Sequence, residues 1–263
     1  MQRRHFITLG TSAFLAGMGL PAQAQISDLH DAINKAGRQR MLSQRMSKAW
    51  LALVHEIEMP LAQQVLNKSV TVFEQQLADL KAYAPTAEIK TTYGKVDVAW
   101  QEFKAVLVGA PPKRSNAAAL LQADAKLLAL ANQGTTQFEA ALGKSGGYLV
   151  NMAGRQRMLS QRMAKFQLAA MLPVDAVTSQ AELTKSRTEF SAAMDVLRNA
   201  PETTLRIKEE LALAEGQWLF FDSALRRPSL GGDTKPLKDV FVTSETLLTT
   251  MDTITGLYTG LKA

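Results

Sequence analysis

Cysteine is absent from this 263-residue chain, which excludes disulfides, thiolate zinc sites, iron–sulfur clusters and thiol nucleophiles. Histidine occurs only at His5, His30 and His55, with no ligand-like spacing, so neither a metal site nor a cofactor is expected. Aromatic residues are scarce, at 6%, while alanine and leucine are plentiful; this balance favours helices over sheets. Beyond residue 24 no apolar run approaches the roughly 20 residues of a membrane span, so no transmembrane segment is expected in the mature chain. No nucleophile with a partner base and no working pair of carboxylates stands in a motif, so the chain does not read as an enzyme.

Residues 1–24 read as an export signal. Arg3-Arg4 supplies the charged start, Phe6 to Leu20 the short apolar stretch, and Ala22-Gln23-Ala24 a small-residue cleavage site. Gln2-Arg3-Arg4-His5-Phe6-Ile7 resembles a twin-arginine signal, with an ordinary secretory signal as the alternative. The mature chain is therefore expected to be soluble and periplasmic. Removal of the two signal arginines lowers the net charge from +6 to +4. That charge is modest and interspersed with acids, which argues against a nucleic-acid partner.

What the chain does contain is a repeat. The eleven residues Ala36-Gly37-Arg38-Gln39-Arg40-Met41-Leu42-Ser43-Gln44-Arg45-Met46 return unchanged as Ala153 to Met163, 117 residues later. Asn34/Asn151 and Lys48/Lys165 flank the two copies at the same offset. Fainter landmarks follow in step: Phe73/Phe190, Leu80/Leu197, Trp100/Trp218 and the proline pairs Pro60/Pro173, Pro85/Pro201 and Pro111/Pro228. A hydrophobic core drifts while volume and patterning persist. Drift that stops at one arginine-rich stretch marks a task other than simple packing.

The breaks divide each half into four helical pieces, at 27–58, 61–83, 87–108 and 116–142, then 147–171, 175–199, 203–225 and 235–261. Apolar spacing is helical throughout, as in Phe73, Leu77, Leu80 and in Leu197, Leu205, Leu211. The predicted fold is all-α: two tandem antiparallel four-helix bundles, residues 25–144 and 145–263, related by an internal pseudo-two-fold repeat. Gly143 to Gly147 forms the joint, and Pro111-Pro112 and Gly231-Gly232 mark the last loop of each half.

Plotted at about 100° per residue, the first motif helix has two buried-looking faces. Leu42, Met46, Ala49, Trp50, Leu53 and Ile57 make an ordinary core stripe. Nearly opposite lie Ile33, Ala36, Gly37, Arg40, Gln44, Ser47, Leu51 and Val54, apolar at both ends and polar in the middle. That second stripe reads as a contact surface against another helix. Glycine inside a helix costs roughly 0.5–1 kcal/mol relative to alanine, and Gly37 and Gly154 both carry that cost. Each leaves room beside the backbone one turn before an arginine. Arg38 and Arg45 sit at the core border, where they snorkel or pair with acids. Met41, Met46, Met158 and Met163 read as core fillers, and Trp100 and Trp218 as core anchors.

A two-fold pairing of like surfaces brings Arg40 to Arg157. Two such charges about 6 Å apart repel by roughly 3 kcal/mol at an effective dielectric of about 20. An anion between them reverses that cost, and guanidinium forks match planar oxyanions. The candidate ligand-binding residues are Arg40, Arg157, Gly37 and Gly154, supported by Ala36, Ala153, Gln44 and Gln161.

At this motif the sequence resembles the sensor domains of the NarX and PilJ type. Ile33-Asn34-Lys35-Ala36-Gly37 followed by Arg40-Met41 is similar to the box that opens the first helix of NarX-like nitrate/nitrite sensors. The longer wording from Ala36 to Lys48 resembles the PilJ-type chemoreceptor version. The resemblance implies a periplasmic four-helix bundle. In its NarX branch it implies a nitrate at a dimer interface, held by an arginine at the positions of Arg40 and Arg157 and by backbone near Gly37 and Gly154. Arg38-Gln39 departs from the small and apolar pair of NarX-like boxes. Family members usually continue into a membrane span and a kinase or chemotaxis domain. This sequence, reaching Ala263 without either, is expected to report to a membrane sensor, transporter or reductase component.

Two readings stand. The first is an exported binding or sensory protein holding a small oxyanion, nitrate or nitrite foremost, between the first helices of its repeats. The second is a periplasmic protein-interaction module, accessory to a sensor kinase, chemoreceptor or pilus system, with no small ligand.

Overall fold

The structure, a computed structural model, describes residues 26–143, 145–174, 176–229 and 233–261. The expected export signal, residues 1–24, and the Gly231-Gly232 break lie outside the described residues. Eight α-helices are described: α1 Leu29–Val54, α2 Met59–Tyr83, α3 Ala87–Val108, α4 Ala117–Leu142, α5 Ser145–Ala169, α6 Ala176–Asn199, α7 Leu205–Arg226 and α8 Lys235–Gly260. A short 3-10 turn, Arg114–Asn116, leads into α4. No strand occurs among the described residues, and none of their helices is long and apolar enough to cross a membrane.

Local chemistry sets the helix ends. The side chains of Asp28, Thr86 and Thr204 each accept from a backbone N–H in the first turn, capping α1, α3 and α7. Pro60 and Pro236 fall in the first turns of α2 and α8, where a missing N–H does no harm. Gly143 closes α4 at φ 64°, a left-handed position that suits glycine.

One boundary differs clearly from expectation. The sequence pattern predicts the first helix to residue 58, but α1 stops at Val54. Glu56 and Glu58 adopt positive φ, and the Ile57 N–H donates back to the Ala52 carbonyl. The turn thereby folds Ile57 onto the core, where it is buried. A periodicity that includes Ile57 reads straight through a tight reversal.

Within the first half α1 packs on α2 and α4, and α3 packs on α4; within the second, α5 packs on α6 and α8, and α7 packs on α8. The two halves are tandem four-helix bundles. Their most extensive mutual contact is α1 against α5. The pair runs parallel: His30 lies beside Gly146, Gly37 beside Gly154, and the His55 ring nitrogen meets the Leu168 carbonyl at 2.9 Å. Matching residues meet at the centre of the pair, so the pseudo-two-fold axis runs along it. A single apolar cluster spans both halves. Met41, Met46, Met158 and Met163 are buried in it as expected.

The two tryptophans part company. Trp100 is fully buried and stacks on Phe73 at 4.3 Å between centroids. Trp218 packs on Phe190 at 4.6 Å with the rings tilted by 31°, but stays partly exposed, so it is a weaker anchor than its spacing suggests. Leu205, read as part of an apolar face, is 74% exposed at the first turn of α7.

Candidate functional site

The eleven repeated residues are used on both sides of the helix, which explains why so many are identical. On one flank Gln39 donates to the Phe73 carbonyl and Gln156 to the Phe190 carbonyl, tying each motif helix to the next helix in its half. Ser43 and Ser160 donate to the carbonyls of Arg40 and Arg157. On the other flank α1 and α5 meet through a seam of polar side chains that is almost wholly buried.

The centre of the seam is glycine on glycine. A Cβ built on Gly37 would lie 3.9 Å from the Gly154 Cα, and one on Gly154 4.0 Å from the Gly37 Cα. Ala36 and Ala153 beside them are fully buried. This close approach admits two long side chains over the backbone. The Gly37 Cβ position is 3.3 Å from Arg40 Nη2 and 3.6 Å from Arg157 Nη2; the Gly154 position is 3.2 Å from Arg157 Nη2 and 3.8 Å from Arg40 Nη2. Both predicted arginines thus converge over both predicted glycines, within one chain.

Their hydrogen bonds cross the axis. Arg40 Nη2 donates to the Asn151 carbonyl at 3.3 Å, and Arg157 Nη2 donates to the Asn34 carbonyl at 3.1 Å. Burial lowers the Arg40 pKa to about 9, with the nearby positive charges of Arg155 and Arg157 adding to the effect. Burial likewise lowers Arg157 to about 10, although the Asp252 carboxylate opposes the shift. The Nε of each arginine has no hydrogen-bond partner.

One turn further on lies a second polar layer. Gln44 donates to Asp124 at 2.7 Å, and Gln161 donates to the Ser244 carbonyl at 2.9 Å. Both glutamines serve this layer rather than the arginine pair. Lys165 crosses from α5 to pair with the buried Asp124 at 2.6 Å. Lys48 crosses from α1 to Ser244 and Glu245 on α8, at 2.9 and 2.6 Å. Burial lowers the Lys48 pKa to about 8 in spite of Glu245.

Arg38 and Arg45 pair with acids, as their border position predicts. Arg38 binds Asp252 at 2.8 Å, and Arg45 grips both carboxylate oxygens of Glu245. The partner side of the seam was not legible in the sequence: Asn132, Asp124, Asp252, Glu245 and Tyr93 sit on distant helices outside any repeated word. The flanks Asn34/Asn151 and Lys48/Lys165 did carry a signal, their fixed offset.

The family model for the N-terminal domain of the type IV pili methyl-accepting chemotaxis transducer, PilJ, matches residues 24–133 and 141–219. The chain belongs to this family, with both halves drawn into the match. The family match therefore makes it a tandem, all-helical sensory and signal-transduction module. No curated protein and no solved structure gives a significant match.

Proposed function

We propose that the protein is an exported, periplasmic sensory component, built of units 25–144 and 145–263, that holds one small oxyanion on the Arg40–Arg157 pair. Nitrate and nitrite are the leading ligands. It passes the bound state to a membrane sensor, transporter or reductase component and catalyses no reaction.

One observation carries this reading: two buried guanidinium groups converge over a glycine pair, and among the described residues Arg40 has no carboxylate in ion-pair contact. An uncompensated buried charge is costly, and a planar oxyanion with several acceptors relieves it. The unpartnered Nε atoms of both arginines are donors available to such a ligand. The intramolecular α1–α5 pair takes the place of two chains, so ligand binding biases how the two halves sit along the axis.

The test is a melting curve at constant ionic strength. Sodium nitrate or nitrite should raise Tm above the value in sodium chloride, following mass action on the folded state. The rise should disappear in the Arg40→Ala/Arg157→Ala double variant. Equal responses to all three salts, or an unchanged response in the variant, would remove the oxyanion.

A second reading has its own observation. Leu213, Leu219 and Phe220 on α7 are 53%, 70% and 75% exposed, an apolar face suited to a protein partner. In that case the module docks through α7, and the arginine seam serves only to join the halves.

A further inference from the structure

The last helices of the two halves correspond at an offset of 120 residues. Thr135 and Thr255 both donate four residues back, to Ala131 and Met251, and Asp124 and Ser244 take the matching places in the second polar layer. At this offset Asp252 matches Asn132, and Glu245 matches Ala125. The consequence is a difference between two grooves. Over α1, Arg38 and Arg45 reach the α8 acids Asp252 and Glu245, and Arg45 also contacts Ser69 of α2, so the groove is laced shut. Over α5, the matching Arg155 and Arg162 turn to Glu189 and Glu182 of α6. The α4 wall offers them only Asn132 and Ala125.

A cavity of about 460 Å³ opens there, its lining including the polar Arg40, Asn132, Arg155 and Glu189 and the apolar Tyr148, Met152 and Val196. That is within the usual range for small-molecule sites, roughly 300–1,000 Å³. Tyr148 and Val196 are 47% and 43% exposed, so its walls present large apolar surfaces to water. Arg40 is fully buried behind it, capped by two neutral amide oxygens, Asn132 Oδ1 at 2.9 Å and Asn151 Oδ1 at 2.6 Å. Around the arginine layer, the guanidinium groups Arg38, Arg40, Arg155 and Arg157 face the carboxylates Asp252, Glu189 and Glu139. Arg38 and Arg157 share Asp252 and Arg155 pairs with Glu189, whereas Glu139 reaches Arg40 only through the Asn151 amide, so among the described residues Arg40 makes no direct ion pair.

We propose that this α4–α5–α6 groove binds a small organic monocarboxylate, its carboxylate on Arg40 and Arg155 and its apolar body against Tyr148, Met152 and Val196. A carboxylate replacing the Asn132 amide oxygen converts an ion–dipole hydrogen bond into an ion pair, which guanidinium geometry favours. One arginine without a direct ion pair calls for one negative charge. Glu189 on the α6 wall repels a second. The apolar lining selects against inorganic ions and against acetate. This site goes beyond the oxyanion reading and does not depend on it; Arg40 is the wall they share.

The experiment titrates the purified protein with sodium benzoate, hexanoate, acetate and nitrate, and with benzyl alcohol, at fixed ionic strength, reading Tm and calorimetric heat. Benzoate or hexanoate should raise Tm by several degrees; acetate and benzyl alcohol should not. Asn132→Asp supplies the carboxylate found at Asp252 and should weaken benzoate binding at least tenfold. Ala193→Trp fills the apolar end of the groove and should abolish the benzoate response while leaving any nitrate response intact. If Ala193→Trp does not fold, Val196→Asp, at an exposed position, carries the same expectation. No response to benzoate and hexanoate overturns the groove site whatever nitrate does. A response that survives both the Asn132 and the groove-filling variants overturns it as well. A benzoate response without a nitrate response upholds the groove and removes the oxyanion reading alone.

Discussion

Arg157 meets Asp252 on α8, whereas Arg40 meets Asn132 at the matching position of α4. The same eleven-residue word therefore ends in two electrostatic states. The second half neutralises its arginine internally and shares that carboxylate with Arg38. The first half caps its arginine with amides, with no carboxylate in ion-pair contact among the described residues. Tyr93 adds to the contrast. Its buried hydroxyl has no partner, burial raises its pKa, and Gly134 makes room for its ring, since a Cβ there would come within 2.9 Å. A duplicated sequence supplies two arginines; substitutions on the fourth helix of each half decide which one meets a carboxylate.

The largest expected difference between the halves concerns the second polar layer. Asp124→Ala strands Lys165 in a buried position without its counter-ion, at a cost of about 3–5 kcal/mol. Ser244→Ala, its counterpart, leaves Lys48 paired with Glu245 and should cost about 1 kcal/mol. Urea denaturation of both variants measures this, and equal losses would break the comparison.

The tryptophans come next. Trp100→Ala removes a fully buried ring and should cost about 3–5 kcal/mol. Trp218→Ala should cost clearly less, because part of that ring already lies in water. The same denaturation series checks it, and a larger loss at Trp218 would reverse the ranking of the two cores.

Acid should weaken the α1–α8 contact between the halves first. Glu245 has its pKa lowered to about 2; burial opposes the shift, and Lys48 and Arg45 overcome it. Asp252 is lowered too, by Arg157 and Arg38 against the opposing effect of burial. A depressed carboxylate contributes stability that is present above its unfolded value, about 4, and is lost as pH falls through the folded value. Stability should therefore decline from about pH 4.5 towards pH 2, and Glu245→Gln should remove part of that slope. Asp252→Asn makes the second half resemble the first. It should cost about 1–2 kcal/mol at pH 7, discounted because this side chain is 42% exposed. It should also strengthen the Tm response to nitrate.

The smallest effect on stability should come from the glycines. In Gly37→Ala and Gly154→Ala the new methyl meets a guanidinium nitrogen at 3.3 or 3.2 Å, a strain that the gain in helix propensity offsets. Stability should change by less than about 1 kcal/mol. If the proposed oxyanion binds there, the nitrate response should weaken in both, because the displaced nitrogens are the ones that converge over the glycine pair.

Much of this molecule was legible before any fold was drawn. The repeat, the helix count, the double-faced α1 and the meeting of Arg40 with Arg157 over Gly37 and Gly154 all follow from spacing. The α1–α2 turn was less legible, because Ile57 returns to the core through left-handed backbone at Glu56 and Glu58 and so mimics a continuing helix. The crossed lysines were visible only as flanks, since nothing local shows that Lys48 and Lys165 are buried.

The sequence by itself determined what recurs: an arginine, a glycine one turn before it and two buried faces, each set by a periodicity that any helix must obey. Only the tertiary structure decided what differs. Whether an arginine meets a carboxylate or an amide depends on residues some 90 positions away along the chain. Chain separation says nothing about which side chains share a low-dielectric space, and in that space one charge more or less determines where an anion can bind.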